Sequence, residues 1–493
     1  MKSLLLHLLS AAILALLWQT AALIVKNPII FPSFTETLAR LFSLCSQRQF
    51  WIGAGFSFLR VFLSFFLILF FGSAAGILSG IFPSFKTFLS FPLAVIRSVP
   101  VVSFILLAIF AFNSNFVPVF SAFLMGFPVM TSSVSAAFDF SDDDKKLFFM
   151  AKIFGLTKSQ KIRFIFLPKF KPFLENGIFS SLGMSWKVVA AAEVLSVPKN
   201  ALGSFLQNAQ VHLETASVLS ATIILVLISF LSEKILKFAF QKSYRKITSL
   251  KRPEFSSLSG GSHSGRGFRH CAAAPAASFA ALSPVAACGV ATVPSPLQVS
   301  IKNLSISKGK KQLFKNFSID FQAGKITAIL APSGSGKTTL LNWIASQFNV
   351  SFLFQEPRLL PTLTVFENVF LPLKNILPEN NAKNLALKYL KAAGLLSRLN
   401  DKTQNLSGGE KQRAAMARAF AFQKPVLLLD EAFQSLDEKI KKSLEETLKS
   451  LLRENPRTVI FVTHQKEEAL SLADKIIEME GEPLKIKKFS AIL

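Results

Sequence analysis

The sequence predicts two halves of different fold class: an α-helical membrane domain, then an α/β domain. Three observations predict this. Hydrophobic residues make up 51% of the 493, phenylalanine supplies 52 of them and mean hydropathy is +0.44. That excess lies mostly before residue 240, so the first half reads as membrane. A strand-like run, a glycine-rich loop and a helical pattern follow one another over residues 326–345. Between the halves, residues 251–296 turn abruptly to Ser, Gly, Ala and Pro, as in Ser256-Ser257-Leu258-Ser259-Gly260-Gly261. No helix or strand period persists there, which predicts a flexible linker. The expected domains are residues 1–250 and 297–493, joined by 251–296.

The apolar run over residues 4–25 is long enough to span a bilayer and longer than a signal-peptide core, and no clean cleavage site follows it. Further spans are expected over 57–81, 93–112, 116–138, 173–195 and 215–239. Some carry Gly or Pro, which membrane helices tolerate. Six spans place both ends on one side, and basic residues decide which side. The loop 139–172 and the tail after the last span are rich in Lys and Arg, whereas the opposite loops hold only Lys26, Arg40, Arg48 and Lys199. By the positive-inside rule both ends are cytoplasmic, in a multi-pass protein of the inner membrane. The same asymmetry accounts for much of the net charge of +26. Residues 297–493 carry 29 basic and 19 acidic side chains, and the larger share of the excess lies earlier. The charge therefore reads as membrane topology, and nucleic acid is not an expected partner.

Lys187 and Glu193 fall within the fifth expected span, where ionisable groups are costly and usually functional. Six residues apart, they project about 120° from each other on a helix, so a direct pair is not expected. Either one lines a transport path, or Lys187 snorkels while Glu193 sits at the outer interface. The sequence leaves both readings open. Cys45, Cys271 and Cys288 provide no disulfide framework, and their spacing from His263 and His270 fits no usual zinc pattern.

In the soluble half, strands are expected over 297–306 and 317–321. The apolar run 326–330 then enters Ala331-Pro332-Ser333-Gly334-Ser335-Gly336-Lys337-Thr338-Thr339, and a helix follows. Small residues let successive backbone N–H groups converge on phosphates, and the helix N-terminus adds partial positive charge. Lys337 is placed to reach the β- and γ-phosphates of ATP, and Thr338 to hold Mg²⁺. Ala331 stands where this pattern has its first glycine; it narrows the backbone angles but removes no donor. A carboxylate closing a buried strand, Asp430, suits the Mg²⁺ shell, and its neighbour Glu431 suits polarising a water. Ser407-Gly408-Gly409 offers a hydroxyl and backbone N–H groups at a helix start, a second anion site.

The cytoplasmic loop contains Ala151-Lys152-Ile153-Phe154-Gly155, nine residues, then Ile165-Phe166-Leu167-Pro168. This predicts a short helix, a glycine turn and a second helix stopped before the proline. Here the sequence resembles the coupling loop of binding-protein-dependent ABC importer permeases, with Ala151, Gly155, Ile165, Leu167 and Pro168 matching. Phe149 and Met150 stand where that motif has Glu and Ala, which removes one polar docking contact. Residues 97–102 and 185–195 look like the nitrate/sulfonate/taurine permease group, which also includes carriers of thiamine-precursor pyrimidines. The soluble motifs resemble the ATPase domain of ABC transporters: the phosphate loop, Gln355, Leu406-Ser407-Gly408-Gly409-Glu410, Asp430-Glu431, Ser435-Leu436-Asp437 and His464.

The resemblance implies a type I importer permease fused to an α/β P-loop NTPase of ABC type. In such proteins Gln355 senses metal and nucleotide, and His464 contacts the γ-phosphate beside the catalytic Glu431. One domain's 406–410 segment closes over ATP held by the other's phosphate loop, so a homodimer of about twelve spans is expected, served by an external solute-binding protein. The implied activity is ATP-driven uptake of a small solute of the nitrate, sulfonate, taurine or pyrimidine class. An exporter or a membrane signalling ATPase of the same superfamily is the alternative, and the pattern at 149–168 favours import. Two departures remain. Lys337 to Gln355 is short for the family, so the small antiparallel sheet usual there is expected to be largely absent. The aromatic that stacks on the base, expected near Lys308, is missing, and Phe314 is a candidate substitute.

Overall fold

The computed structural model describes residues 2–248, 295–308, 311–332, 334–432, 441, 445–446, 448–450, 452–453, 456–481 and 483–491. Residues 251–294 of the expected linker, Ser333 and Ser435-Leu436-Asp437 lie outside the described residues. Two compact units form: Met1–Phe140 with Lys169–Ser259, and Ser141–Pro168 with Gly260–Leu493. The elbow at 141–168 therefore belongs with the soluble domain rather than with the helices that flank it in sequence.

Helices build the first unit: Lys2–Val25, Phe34–Cys45, Arg48–Ile81, Pro83–Ser98, Val101–Ala111, Val117–Ala136, Leu167–Ser196, Leu202–Val211 and Thr215–Thr248. Among the described residues four are long and apolar enough to cross a membrane, five if the bent pair Pro83–Ser98 and Val101–Ala111 is one span, and a shorter apolar stretch, Ala12–Val25, lies in the first helix. The expected straight span over 93–112 is therefore corrected, because this pair bends by 98°. Pro100 has no N–H to continue the helix and pushes Val99 into an extended conformation (φ −80°, ψ 133°). The second span starts earlier than expected, at Arg48, and runs to Ile81 through a π turn at Ile68–Gly72.

The helix after the elbow is also corrected. It does not stop at Pro168. A π turn over Ile162–Phe166 feeds directly into Leu167–Ser196. The wider turn accommodates a residue that lacks an N–H and whose ring would crowd the carbonyl four positions back.

Glu193 is buried against neighbouring helices of its own unit. Its side chain is 1% exposed, and it forms an ion pair with Arg60 at 2.8 Å. It also accepts from the Ser57 hydroxyl at 2.7 Å and from the Gly203 N–H at 3.1 Å. The helices approach so closely here that a Cβ on Gly203 would lie 2.3 Å from that of Glu193. Lys187, by contrast, is exposed on its helix in the unit as described.

In the second unit β1 (Val299–Lys308) and β2 (Lys311–Phe321) pair as an antiparallel ribbon. The main sheet holds β3 (Ile326–Leu330), β4 (Val350–Leu353), β5 (Val426–Asp430), β6 (Thr458–Thr463), β7 (Lys475–Glu480) and β8 (Lys485–Ala491) in the order β4-β5-β6-β3-β7-β8. Its first five strands in that order are parallel, and β8 returns antiparallel. Near-continuous apolar runs such as Val426-Leu427-Leu428-Leu429 suit strands covered on both faces, and every residue of β4, β5 and β6 is buried. The helix Lys337–Gln347 passes almost at once into β4, leaving no room for an inserted sheet.

Removing one partner of the buried pair strands the other's charge. Arg60→Leu is expected to cost about 3–5 kcal/mol, read as a lower unfolding temperature of the full chain in detergent, whereas Lys187→Leu leaves that temperature near the wild-type value.

Candidate functional site

Strand order positions the site. β6 lies between β3 and β5, so three strand ends emerge side by side at the carboxyl edge of the sheet. The phosphate loop follows β3, Asp430 closes β5, and His464 follows β6. Open parallel sheets bind ligands at this edge.

In the loop, Gly334 and Gly336 adopt φ of +76° and +105°, left-handed values that a side chain would resist. They turn the chain into the helix Lys337–Gln347. Lys337 is almost fully buried, and its ammonium donates to the carbonyls of Ala331 at 2.8 Å and Pro332 at 2.9 Å. It lies 3.6 Å from Glu431. The Thr338 hydroxyl donates to Asp430 Oδ1 at 3.3 Å. Gln355 Nε2 donates to Glu431 Oε2 at 3.0 Å, and His464 Nδ1 lies 3.7 Å from Glu431 Oε1. Six predicted residues, Lys337, Thr338, Gln355, Asp430, Glu431 and His464, therefore converge on one locus. Glu431 itself has φ +44°, so its carboxylate is held by a strained backbone at the strand end.

Two features fit a phosphate and a divalent cation. The Ser335 hydroxyl is buried with no hydrogen-bond partner among the described residues, as a phosphate-facing donor would be. Burial pushes the Asp430 carboxyl up to about 6, against the hydrogen bond from Thr338. A cation between these two oxygens would offset that burial by direct attraction. Thr339 continues the same helix turn.

Ser407 caps the helix Gly408–Ala421, accepting from the Glu410 N–H at 3.3 Å while its own N–H donates to the Glu410 carboxylate at 2.8 Å. A Cβ on Gly408 or Gly409 would meet nothing within 4 Å, so this helix start is open to an incoming group. Phe314 is not a base-stacking platform. It is fully buried, packed 5.2 Å from Phe317, with its ring edge beside Gly336. The alternation of β2 breaks between Phe314 and Phe317, where Asn316 takes φ +47°, and this irregularity turns Phe314 inward.

The elbow packs onto this unit through contacts the sequence did not reveal. The helix Asp142–Ile153 is capped by Ser141 and Asp144, and Gly155 turns the chain at φ +65°. Ala151, Phe154 and Leu156 are buried, as is Ile165. The Phe154 ring lies 5.2 Å from Phe422, and the Arg418 guanidinium sits 4.7 Å over its face. Burial, together with the neighbouring Arg358, brings Arg418 down to about 9, still charged at neutral pH. Asn375 donates to the Gly155 carbonyl at 3.1 Å and exchanges hydrogen bonds with Gln160. Phe149, standing where the motif has Glu, lies 6.2 Å from Phe354. A polar tie survives elsewhere, because Lys146 pairs with Glu356 at 2.9 Å, next to Gln355. Leu167 and Pro168 are half-buried where the elbow leaves.

Residues 52–245 match the family described as the binding-protein-dependent transport system inner membrane component. Residues 314–351 and 346–434 match the family described as ABC transporter. The chain joins an inner-membrane permease domain to an ABC ATP-binding domain. With its apolar helices it is a multi-pass inner-membrane protein whose ATP-binding domain is cytoplasmic. The sulfate/thiosulfate import ATP-binding protein CysA of Escherichia coli (strain K12) is 37% identical over 211 residues, 37% of this chain and 58% of that protein. The spermidine/putrescine import ATP-binding protein PotA of Aliivibrio fischeri is 38% identical over 213 residues, 38% of this chain and 57% of that protein. The chain thus spans less than two thirds of the length of these curated relatives. The dimeric structure of a bacterial ABC transporter cassette is 29% identical, covering 40% of this chain and 98% of that one with a TM-score of 0.36.

Phe154 anchors the elbow. Phe154→Ala is expected to weaken its seating by about 3 kcal/mol, roughly a hundredfold in opening equilibrium. Hydrogen exchange should quicken by that factor across residues 142–153 while β3 is unaffected.

Proposed function

We propose that this chain imports a small solute across the inner membrane at the expense of ATP. The carrying observation is the elbow seated on the nucleotide domain, with Lys146 bonded to Glu356 one residue from Gln355, which itself holds Glu431. An event at Glu431 thereby has a short bonded route to the segment that continues into the helix Leu167–Ser196. The permease and ABC matches support the same reading.

ATP supplies the transferable γ-phosphoryl group, and Mg²⁺ spreads the charge that develops on its oxygens. The backbone N–H groups from Gly334 to Thr339 and the Lys337 ammonium cradle phosphate oxygens, with Lys337 leaving the Ala331 and Pro332 carbonyls to do so. Thr338 and Asp430 hold the cation, aided by Gln355. Glu431 takes a proton from the attacking water, kept in place by Gln355, and His464 donates toward the γ-phosphate. Ser407, Gly408 and Gly409 of a second copy complete the site, so the working form is a homodimer. Closure on ATP and parting after hydrolysis move the two elbows.

An external solute-binding protein delivers the solute. Residues 97–102 and 185–195 support the nitrate, sulfonate, taurine or pyrimidine class. The solutes named for the relatives, sulfate/thiosulfate and spermidine/putrescine, belong to those ATP-binding proteins.

Glu431→Gln is expected to lower ATP turnover in proteoliposomes by roughly 10²–10⁴-fold, the usual contribution of a general base, while ATP still protects the variant from thermal unfolding. Wild-type turnover in the variant would exclude Glu431 as the base.

A further inference from the structure

In the membrane unit, the turn before Val117–Ala136 and the turn after Leu167–Ser196 both lie at the helix ends that do not lead into the elbow. Together with Arg48–Ile81 they line a cavity of about 470 Å³, with Arg60, Asn113, Asn115, Lys199, Phe56 and Phe116 in its wall.

One wall of this cavity is built under strain. Val197 and Asn200 have φ of 45° and 54°, left-handed values that a β-branched residue adopts only when its surroundings impose them. Arg60 imposes them. Its guanidinium donates to the carbonyls of Lys199 at 3.2 Å and Asn200 at 3.4 Å, and to Asn115 Oδ1 at 3.0 Å, while Glu193 fixes it from below at 2.8 Å. The Ser204 hydroxyl ties the Pro198 carbonyl at 2.6 Å. Arg60 is thus a positioning residue whose charge is already answered by Glu193.

The groups left to the cavity are donors. Asn115 Oδ1 is taken by Arg60, and Asn113 Oδ1 accepts from the Phe116 N–H at 3.0 Å. Each amide therefore keeps its NH₂ for another acceptor. Lys199 adds an exposed ammonium, and no Asp or Glu is among the residues lining the cavity. Two amide donors, one uncompensated cation and two aromatic rings suit an oxyanion carried on a small organic body, and they repel a cation.

We propose that this cavity binds one oxyanion group, a sulfonate, sulfate, phosphate or carboxylate, at the outer face of the membrane unit. The assignment to the outer face and to an incoming solute rests on the import reading; the anion chemistry rests on the lining residues alone. The same chemistry is offered by a free solute and by an anionic lipid headgroup, and the test separates them.

The full-length chain is placed in phosphatidylcholine nanodiscs, and its unfolding temperature is followed with potassium methanesulfonate, with putrescine dihydrochloride at matched ionic strength as the cationic control. Methanesulfonate should raise the wild-type unfolding temperature. The concentration for half the effect should rise at least tenfold in Lys199→Gln and in Asn115→Asp, which keeps the acceptor for Arg60 while adding a negative charge. Equal responses in wild type and both variants, or an equal rise with putrescine, overturn the proposal. In a second arm phosphatidylglycerol is added to the discs. A methanesulfonate effect that persists there assigns the site to solute. A lipid-induced rise that Lys199→Gln lacks, with no further effect of methanesulfonate, assigns it to a headgroup and overturns the solute role. Neither arm requires ATP hydrolysis, so a chain that fails as an importer still reports on this site.

Discussion

The constraint behind the cytoplasmic half is the position of β6 between β3 and β5. Parallel pairing aligns the three strands, Leu330 with Thr463 and Asp430 with Val462. The groups just beyond them must then share one small volume. A cationic lysine, two adjacent carboxylates, a hydroxyl and a histidine would repel or waste one another in an apolar core. At a strand edge, beside a glycine-rich loop and a helix start, they suit the phosphate receptor proposed above.

That arrangement is joined to the elbow through few bonds. Gln355 lies just beyond β4, beside β5, and holds Glu431, while its neighbour Glu356 holds Lys146. Around this polar tie the seating is mostly apolar and aromatic: Phe149 near Phe354, and Phe154 near Phe422 beneath Arg418. Buried rings supply affinity over area, whereas the ion pair and the Asn375 bonds fix orientation. Phe149 makes a ring contact, and the elbow's ion pair stands instead at Lys146, with Glu356 on the domain.

Much of the candidate site was legible because the chemistry it suits demands particular residues at fixed offsets along single loops. Gly334, Gly336, Lys337 and Thr338 sit on one turn, and the Asp430-Glu431 pair ends one apolar run. Phe314 was misread because a residue's face on a strand depends on register, and β2 turns it inward. The straight span over 93–112 and the helix end at Pro168 were misread for a related reason. Proline states what a backbone cannot do, and it leaves open whether the chain bends by 98°, as at Pro100, or widens one turn and continues, as before Pro168.

The sequence by itself determined the two fold classes, the cytoplasmic side and the identities of the phosphate-loop groups, since composition, charge asymmetry and short-range spacing are properties of the chain alone. Tertiary structure decided that Arg60, 133 positions away, answers Glu193, that the elbow belongs with the soluble unit, and that Lys199 and two asparagines share a cavity. Those facts depend on which helix faces meet, and side chains brought together from distant segments leave no local pattern from which to read them.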